Sequence, residues 1–395
     1  MKFLYASFVT RTKQYAGILK KVAGQTDGVA RLGWDARYVC ADGNDVVLCG
    51  GEEPESKTIA EGLRWRGRQA ATAEKICEFI AEGRYDLVYI KGFLANPYAL
   101  RIADAAKSAN PRCRVIYEIA TYPYWGEYRR FFRVDWKRRD ARAFAGHLLE
   151  AAQHWATAPR MKRSVDALVV FGQPVERLWG IPAVTIDNGV SVDRIEPRDS
   201  SGRMPGAAIR LLGVAGTSVA HGYDRVLDGL AQYRKAKPPG GPEVFFDLVG
   251  ENETVRALRA RTAELGLEDA VSFLGYRDSG ELALLYNRCD AAVSSLGVYR
   301  IGLKWLSPLK SREYCAAGIP FLYAYEDTLP GNATFAMKIP NDPSPVDIAA
   351  VVRFVERCRG NPAVSRRERQ YAEEYFDWKI IMKRVLLFVG AAGLE

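Results

Sequence analysis

Short apolar runs alternate along the chain with stretches whose apolar residues recur every three or four positions. Runs at Lys2–Phe8, Ala36–Cys40, Val46–Cys49, Leu87–Ile90, Arg114–Ile119, Ala167–Phe171 and Ala183–Ile186 have strand length and strand composition. Helical spacing lies between them at Glu74–Glu82 and Pro97–Ser108. A polar interruption from Asp193 to Pro205 reads as a linker. A second series follows, with strands at Ile209–Ala215, Val244–Val249, Ala270–Leu274, Ala291–Ser294 and Phe321–Ala324. Helical patterns at Arg225–Arg234, Thr254–Leu265 and Glu281–Cys289 separate them, and Arg366–Leu394 closes the chain with helical period and many aromatics.

Alternation of this kind predicts α/β architecture, with parallel sheets covered by helices on both faces. Two such halves fit a chain of 395 residues. In doubly wound sheets ligands sit beyond the carboxyl ends of the strands, so the default site is a cleft between the halves. A nicotinamide or flavin site would require Gly-x-Gly-x-x-Gly after a first strand. The segments Tyr15–Lys20 and Gly213–Gly216 both match that pattern poorly.

Composition narrows the setting. Apolar residues make up 48% and charged residues 26%, the mix of a soluble globular protein. No run approaches the ~18 apolar residues of a membrane span. The apolar start, Met1–Val9, runs at once into Thr10-Arg11-Thr12-Lys13, and it reads as a first buried strand rather than a signal peptide. Seven scattered cysteines, no Cys-x-x-Cys pair and three histidines give no zinc spacing and fit a reducing, cytoplasmic compartment. A net charge of +9 favours an anionic partner: nucleic acid, an anionic membrane surface or a phosphorylated substrate.

The most informative stretch is Ser307-Pro308-Leu309-Lys310-Ser311-Arg312-Glu313-Tyr314-Cys315-Ala316-Ala317-Gly318-Ile319-Pro320. Pro308 starts a helix and Gly318 ends it. Lys310 and Glu313 then share a face, either as a surface ion pair or as a cation and carboxylate that hold a phosphate and a diol. A second stretch, Gly216-Thr217-Ser218-Val219-Ala220-His221-Gly222-Tyr223-Asp224-Arg225, follows a strand and opens a helix, a location that suits a pyrophosphate. Asp224 as a helix cap and Arg225 as a solvated cation are the plain alternatives.

Together these stretches resemble the donor half of family 4 glycosyltransferases (glycosyl transferases group 1), which have the GT-B fold of two Rossmann-like domains facing across a cleft. The Leu-Lys-x-Arg-Glu-Tyr and His-Gly-Tyr-Asp-Arg runs are similar to a subgroup common among capsule and lipopolysaccharide enzymes. Val271-Ser272-Phe273-Leu274-Gly275-Tyr276 resembles the family segment whose backbone meets the nucleobase. Asp187-Asn188-Gly189-Val190 resembles the tight turn that closes the first domain, and Tyr375-Phe376-Asp377-Trp378 the start of the helix that crosses back to it.

The resemblance implies domains at 1–192, 206–372 and 373–395, the last being the closing helix. It implies a retaining transferase that moves a sugar from a nucleoside diphosphate donor to a hydroxyl, on a lipid-linked glycan of surface polysaccharide synthesis. Glu313 would hold the ribose; Arg225 and Lys310 would neutralise the leaving diphosphate. Gly17, Gly216, His221, Gly222, Gly275 and Tyr276 complete the expected donor site. No metal and no cofactor are expected. Two departures stand out: Trp305 occupies the position of a second family Glu, and the loop after Glu118 lacks the family His. Glu118 is left as the candidate acid/base, or else a structural carboxylate. Another enzyme of the same fold, such as a nucleotide-sugar epimerase, or a non-catalytic nucleotide-sugar-binding subunit are the alternatives.

Residues Arg129–Arg142 carry seven Lys/Arg and two Asp. Tyr128, Phe132 and Trp136 fall at helical spacing beside Arg129, Arg133 and Lys137. With Tyr122 and Tyr124, the residues Arg129, Arg133 and Trp136 form the expected acceptor or membrane face, peripheral on an anionic surface. A solvated basic face with its aromatics in the core is the other reading; nucleic acid is not expected.

Overall fold

The computed structural model describes residues 1–12, 15–51, 53–199, 208–214, 219–237, 239–359 and 361–391. The chain forms two compact units, Met1–Ser191 with Asp377–Glu395, and Val192–Phe376.

Unit 1 runs β1 (Lys2–Ala6), α1 (Ala16–Ala30), β2 (Asp35–Asp42), β3 (Asp45–Cys49), β4 (Glu55–Thr58), α2 (Trp65–Gly83), β5 (Leu87–Gly92), α3 (Pro97–Ala109), β6 (Arg114–Tyr122), α4 (Tyr124–Arg138), α5 (Ala141–Met161), β7 (Ala167–Gly172), β8 (Arg177–Leu178) and β9 (Ile181–Thr185). Its nine-stranded sheet has the order β4-β3-β2-β1-β5-β6-β7-β9-β8. The strands from β2 through β1, β5, β6 and β7 to β9 are parallel, and the apolar runs of the central β1, β5, β6 and β7 are buried on both faces, as a helix-covered parallel sheet requires. The antiparallel edge ends in β4, whose Glu55-Ser56-Lys57-Thr58 presents polar side chains where an open edge would otherwise invite pairing.

Unit 2 runs β10 (Ile209–Val214), α6 (Asp224–Ala236), β11 (Val244–Val249), α7 (Glu253–Glu264), β12 (Val271–Gly275), α8 (Ser279–Arg288), β13 (Ala291–Val293), α9 (Leu309–Ala317), β14 (Phe321–Tyr323), β15 (Ala336–Lys338), α10 (Ile348–Arg359) and α11 (Ala363–Tyr371). Its sheet, β12-β11-β10-β13-β14-β15, is parallel throughout. In both sheets the chain leaves the first strand on one side and returns on the other. The switch points fall between β1 and β5 and between β10 and β13.

The last helix, α12 (Trp378–Phe388), belongs to unit 1. A π-helical turn at Ala372–Phe376 and Asp377 separate it from α11, so the closing segment is broken rather than one helix. Asp377 accepts from Lys379 N at 2.8 Å, which caps α12, and pairs with Arg31 at 2.9 Å. Trp378 lies against α1 at Gly24 and Gly28. A Cβ on Gly24 would stand 2.5 Å from the Trp378 ring, and one on Gly28 would stand 2.7 Å from the Trp378 carbonyl. Two glycines one turn apart thus make the groove that seats the last helix.

Several boundaries differ from the sequence reading. Helix α2 begins nine residues before Glu74, because its first turns are basic and carry no apolar period. Residues 16–20, which match no glycine-rich phosphate loop, are the first turns of α1. The Asp187–Gly189 segment makes no left-handed turn; it runs on to a bridge between Val190 and Asp377.

Candidate functional site

Helix α9 follows the switch point of unit 2 and is mostly buried. Ser311, Arg312, Tyr314 and Cys315 all face the interior. Ser311 Oγ donates to Pro308 O at 2.8 Å across the first turn. Arg312 makes a two-pronged pair with Asp327, at 2.8 Å on each arm, and its guanidinium lies 4.0 Å from the centre of the Phe376 ring. Gly318 ends the helix at φ +70, where a Cβ would meet Ser365 O at 2.9 Å. A helix fixed in this way leaves Lys310 and Glu313 half-exposed on one face. They are not ion-paired to each other: Glu313 Oε2 lies 3.4 Å from Tyr286 OH, and Lys310 turns to the end of β10.

Lys310 Nζ is surrounded by neutral acceptors. It donates to His221 Nδ1 at 2.8 Å and to Tyr223 OH at 3.0 Å, with Val214 O more distant at 3.4 Å. Among the described residues no carboxylate pairs with it. Burial pushes its pKa down to about 7. Burial, and then the Lys310 charge, hold His221 well below the ordinary imidazole range, so the ring is neutral with its proton on Nε2. Tyr223, stacked on His221 with ring centres 5.6 Å apart, is held by Val214 O at 2.9 Å and Val293 O at 3.0 Å. The two carbonyls end the strands that flank the switch point. Sequence reasoning missed Tyr223 and Tyr286; an aromatic one residue after the His-Gly pair was the signal for the first.

Gly222 is in the left-handed region at φ +60, and a Cβ there would stand 2.5 Å from Gly297 N. This glycine lets the loop after β10 touch the loop after β13. Gly275, at φ +69, ends β12 with nothing within 4 Å of a would-be Cβ, and Tyr276 beside it is exposed. Gly216 lies outside the described residues.

Arg225 requires a correction. It is buried, and its guanidinium donates to Ser344 O at 2.6 Å, to Pro340 O at 3.0 Å and to Leu296 O. Its hydrogen bonds go to carbonyls and Asp342 lies 3.6 Å from it, so it ties α6 to two loops and does not present charge to a ligand. Asp224 is no N-cap: it lies in the first turn of α6 and pairs with Arg300 at 2.8 and 2.6 Å.

Glu118 is corrected in the same way. It is 0% exposed on β6. Oε1 accepts from Lys21 at 3.1 Å and Lys91 at 3.0 Å; Oε2 accepts from Tyr89 at 2.8 Å, Tyr5 at 3.0 Å and Gln25 at 3.3 Å. Burial alone would raise its pKa, but the two ammonium groups and the hydroxyl outweigh it and hold it well below the carboxylate range. A saturated, inaccessible carboxylate is no acid/base. Burial likewise pushes Lys21 down to about 7 against the pull of Glu118.

The other unit 1 candidates separate. Gly17 lies in the first turn of α1 with open space beside it. Tyr122 is half-buried. Tyr124 is buried: its hydroxyl accepts from Trp179 Nε1 at 3.2 Å and meets His154 Nε2 at 3.1 Å, while Ala95 N donates to His154 Nδ1 at 3.1 Å. Burial lowers His154 to about 4, so it is neutral. Tyr124 therefore fixes the α4–α5 hairpin to β5 and is not a free contact residue. Along α4 the aromatic stripe turns outward, from buried Tyr128 to Trp136 at 77% exposure, with Arg129 and Arg133 exposed beside it. On α5, Leu148 and Trp155 are exposed as well. Among the described residues no helix is long and apolar enough to cross a membrane.

Residues 210–323 match the family model for glycosyl transferases group 1, a span that includes His221, Lys310 and Glu313. No curated protein sequence matches the chain. Solved structures match over nearly its whole length. Sucrose-phosphate synthase from Thermosynechococcus elongatus is 14% identical with a TM-score of 0.63, covering 99% of this chain and 100% of that one. The Anabaena protein Alr3699/HepE, in complex with UDP and glucose, is 15% identical with a TM-score of 0.56, covering 99% and 100%. The catalytic domain of starch synthase IV from Arabidopsis thaliana, bound to ADP and acarbose, is 10% identical with a TM-score of 0.63, covering 98% of each. The fold is that of the GT-B glycosyltransferases.

Proposed function

We propose, for a chain of GT-B fold whose residues 210–323 match the model of glycosyl transferases group 1, that it transfers a glycosyl unit from a nucleoside diphosphate sugar to a hydroxyl. The observation that carries this reading is Lys310, a half-buried ammonium at a sheet switch point with no carboxylate partner among the described residues. A cation in that setting is stabilised by an incoming anion. A diphosphate oxygen replaces the long 3.4 Å contact to Val214 O and takes the charge of Lys310. Glu313, half-exposed on the same helix face, accepts from the ribose hydroxyls.

In the reaction the bond from the sugar C1 to the donor phosphate breaks and a bond from C1 to the acceptor oxygen forms. The acceptor proton leaves with the diphosphate. Negative charge grows on the leaving group, and Lys310 offsets it as it grows, the form of electrostatic help that accelerates a step. Lys310 supplies the counter-charge without a metal, so EDTA is expected to leave turnover unchanged. Anomeric configuration is retained in this reading, and the acceptor is a lipid-linked glycan of surface polysaccharide synthesis. The basic α4–α5 hairpin, with Trp136 and Trp155 exposed beside Arg129 and Arg133, supports docking on an anionic lipid surface, where such an acceptor resides.

A panel of UDP, GDP, ADP, CDP and TDP, read by thermal shift and followed by hydrolysis of the matching nucleotide sugars, tests the reading. At least one diphosphate should raise the melting temperature and its sugar should be consumed. No shift with any of the five would remove it.

A further inference from the structure

A pocket of about 160 Å³ opens in unit 1 at the loop that follows β5. The loop Phe93–Asn96 forms its floor, the start of α2 one wall and the middle of α5 the other. At roughly 10–15 Å³ per water-sized group, this is room for about 11 to 16 such groups, a range that includes the dozen or so heavy atoms of one hexose.

Its polar side chains are solvent-accessible, with Arg66 exposed and Gln69, Glu150 and Gln153 half-exposed. Among the described residues, the side-chain amides of Gln69 and Gln153 and the guanidinium of Arg66 have no hydrogen-bond or ion-pair partner in unit 1. Glu150 gives one oxygen to Tyr128 OH at 3.3 Å, and its other oxygen is uncommitted. Nothing pairs Arg66 with Glu150 although both line the pocket. The rest of the wall is aromatic, from Phe93 and Tyr98. Phe93 is held edge-on to Tyr124, with ring centres 6.2 Å apart, and the Tyr98 hydroxyl is tied to Arg66 O at 3.4 Å. The aromatic walls are therefore placed while the polar groups wait.

Two amides, a carboxylate oxygen and a guanidinium offer donors and acceptors on several sides of the space. Rings supply an apolar surface. A pyranose has that pattern in reverse: hydroxyls around its rim that both donate and accept, and C–H groups on its faces. A phosphate would meet the Glu150 charge, and an apolar group would strand four polar side chains without partners. We propose that this pocket binds one pyranose unit of the acceptor glycan, with Glu150 and Gln153 taking its hydroxyls from α5 and Gln69 from α2. The inference rests on the glycosyl-transfer reading for its biological meaning but on the pocket alone for the sugar.

Saturation-transfer NMR of the full chain with the methyl glycosides of glucose, galactose, mannose and N-acetylglucosamine tests it, with UDP and ADP titrated in parallel. At least one glycoside should bind. Its affinity should fall about tenfold in Glu150→Ala/Gln153→Ala, the effect of losing two hydrogen bonds of about 0.7 kcal/mol each. Nucleoside diphosphate affinity should stay as in the parent. Gln69→Ala, at a half-exposed surface position, carries the same expectation on a smaller scale and keeps the test available if the double variant fails to fold. No binding by any of the four glycosides, or equal binding by parent and variants, would overturn the proposal. Glycoside binding without any nucleoside diphosphate binding would leave the pocket in place and sink the transfer reading.

Discussion

Lys310 Nζ and His221 Nδ1 stand 2.8 Å apart, in a buried setting that lowers the pKa of both side chains. An imidazole that accepts from an ammonium at Nδ1 is neutral and carries its proton on Nε2. The ammonium in turn finds only neutral acceptors, so its charge is left over for something the protein does not itself contain.

Replacing Lys310 by Met should therefore separate stability from binding. The unliganded melting temperature is expected to hold or rise, because a poorly compensated buried cation is removed. The stabilisation by nucleoside diphosphate should be lost, with affinity down at least about tenfold. In the parent, affinity should decline as pH rises above about 7, where Lys310 loses its proton, and Lys310→Met should flatten the profile. The stability sign is opposite. The folded pKa of Lys310 lies below its unfolded value, so its burial cost is full below about pH 7 and is relieved as pH rises above it. Titration calorimetry across pH 6 to about 9 and parallel unfolding curves check both directions.

If Glu313 accepts from the ribose, Glu313→Ala and a 2′,3′-dideoxy nucleoside diphosphate remove the same contacts. Each alone should cost about tenfold in Kd, and the two together little more than either one. Additive losses would place Glu313 elsewhere.

Glu118→Ala leaves two ammonium groups facing each other without their carboxylate. Loss of about 3–5 kcal/mol is expected in unit 1, read by chemical denaturation. Molecules that remain folded should bind nucleoside diphosphate as the parent does, since the residue belongs to the other unit. Selective loss of turnover in a fully stable Glu118→Gln protein would return it to the chemistry.

Gly28→Val should cost about 2 kcal/mol or more, because the new Cβ meets the backbone of Trp378 at 2.7 Å. Gly17→Ala, on the same helix with nothing near it, should cost nothing or add slightly to stability.

Vesicles containing an anionic phospholipid should bind the chain in a salt-sensitive manner, and neutral vesicles should not. Trp136→Ala with Arg133→Ala should weaken co-sedimentation at least about fivefold. Unchanged binding by the pair would dismiss the hairpin as the membrane face.

Much of this molecule is written locally. The buried strands β1, β5, β6 and β11 are apolar runs that no other element could absorb, and α9 announces itself through Pro308 and Gly318. That Lys310 and Glu313 share a helix face was legible, because three residues apart on a helix is a local relation. Arg225 and Glu118 were not, because their partners come from residues 296, 340 and 344 in one case and 5, 21, 25, 89 and 91 in the other. An ionisable residue reads as available until distant carbonyls or ammonium groups are seen to use it. The aromatic stripe of α4 was half legible. Steps of four residues advance about 40° around a helix, enough to carry the row from buried Tyr128 to exposed Trp136. The hydrogen bonds that bury Tyr124 come from Trp179 and His154, well outside the stretch that suggested it.

The seat that Gly24 and Gly28 make for Trp378 also orders events at the ribosome. Domains tend to fold as they are completed during synthesis. Here the first unit to begin is the last to be finished, since α1 waits for a helix encoded at the far end of the chain. Residues 192–376 are continuous and can condense while α1 still lacks its partner. A chain that stops before Trp378 would release a complete second unit attached to a first one with an open glycine groove.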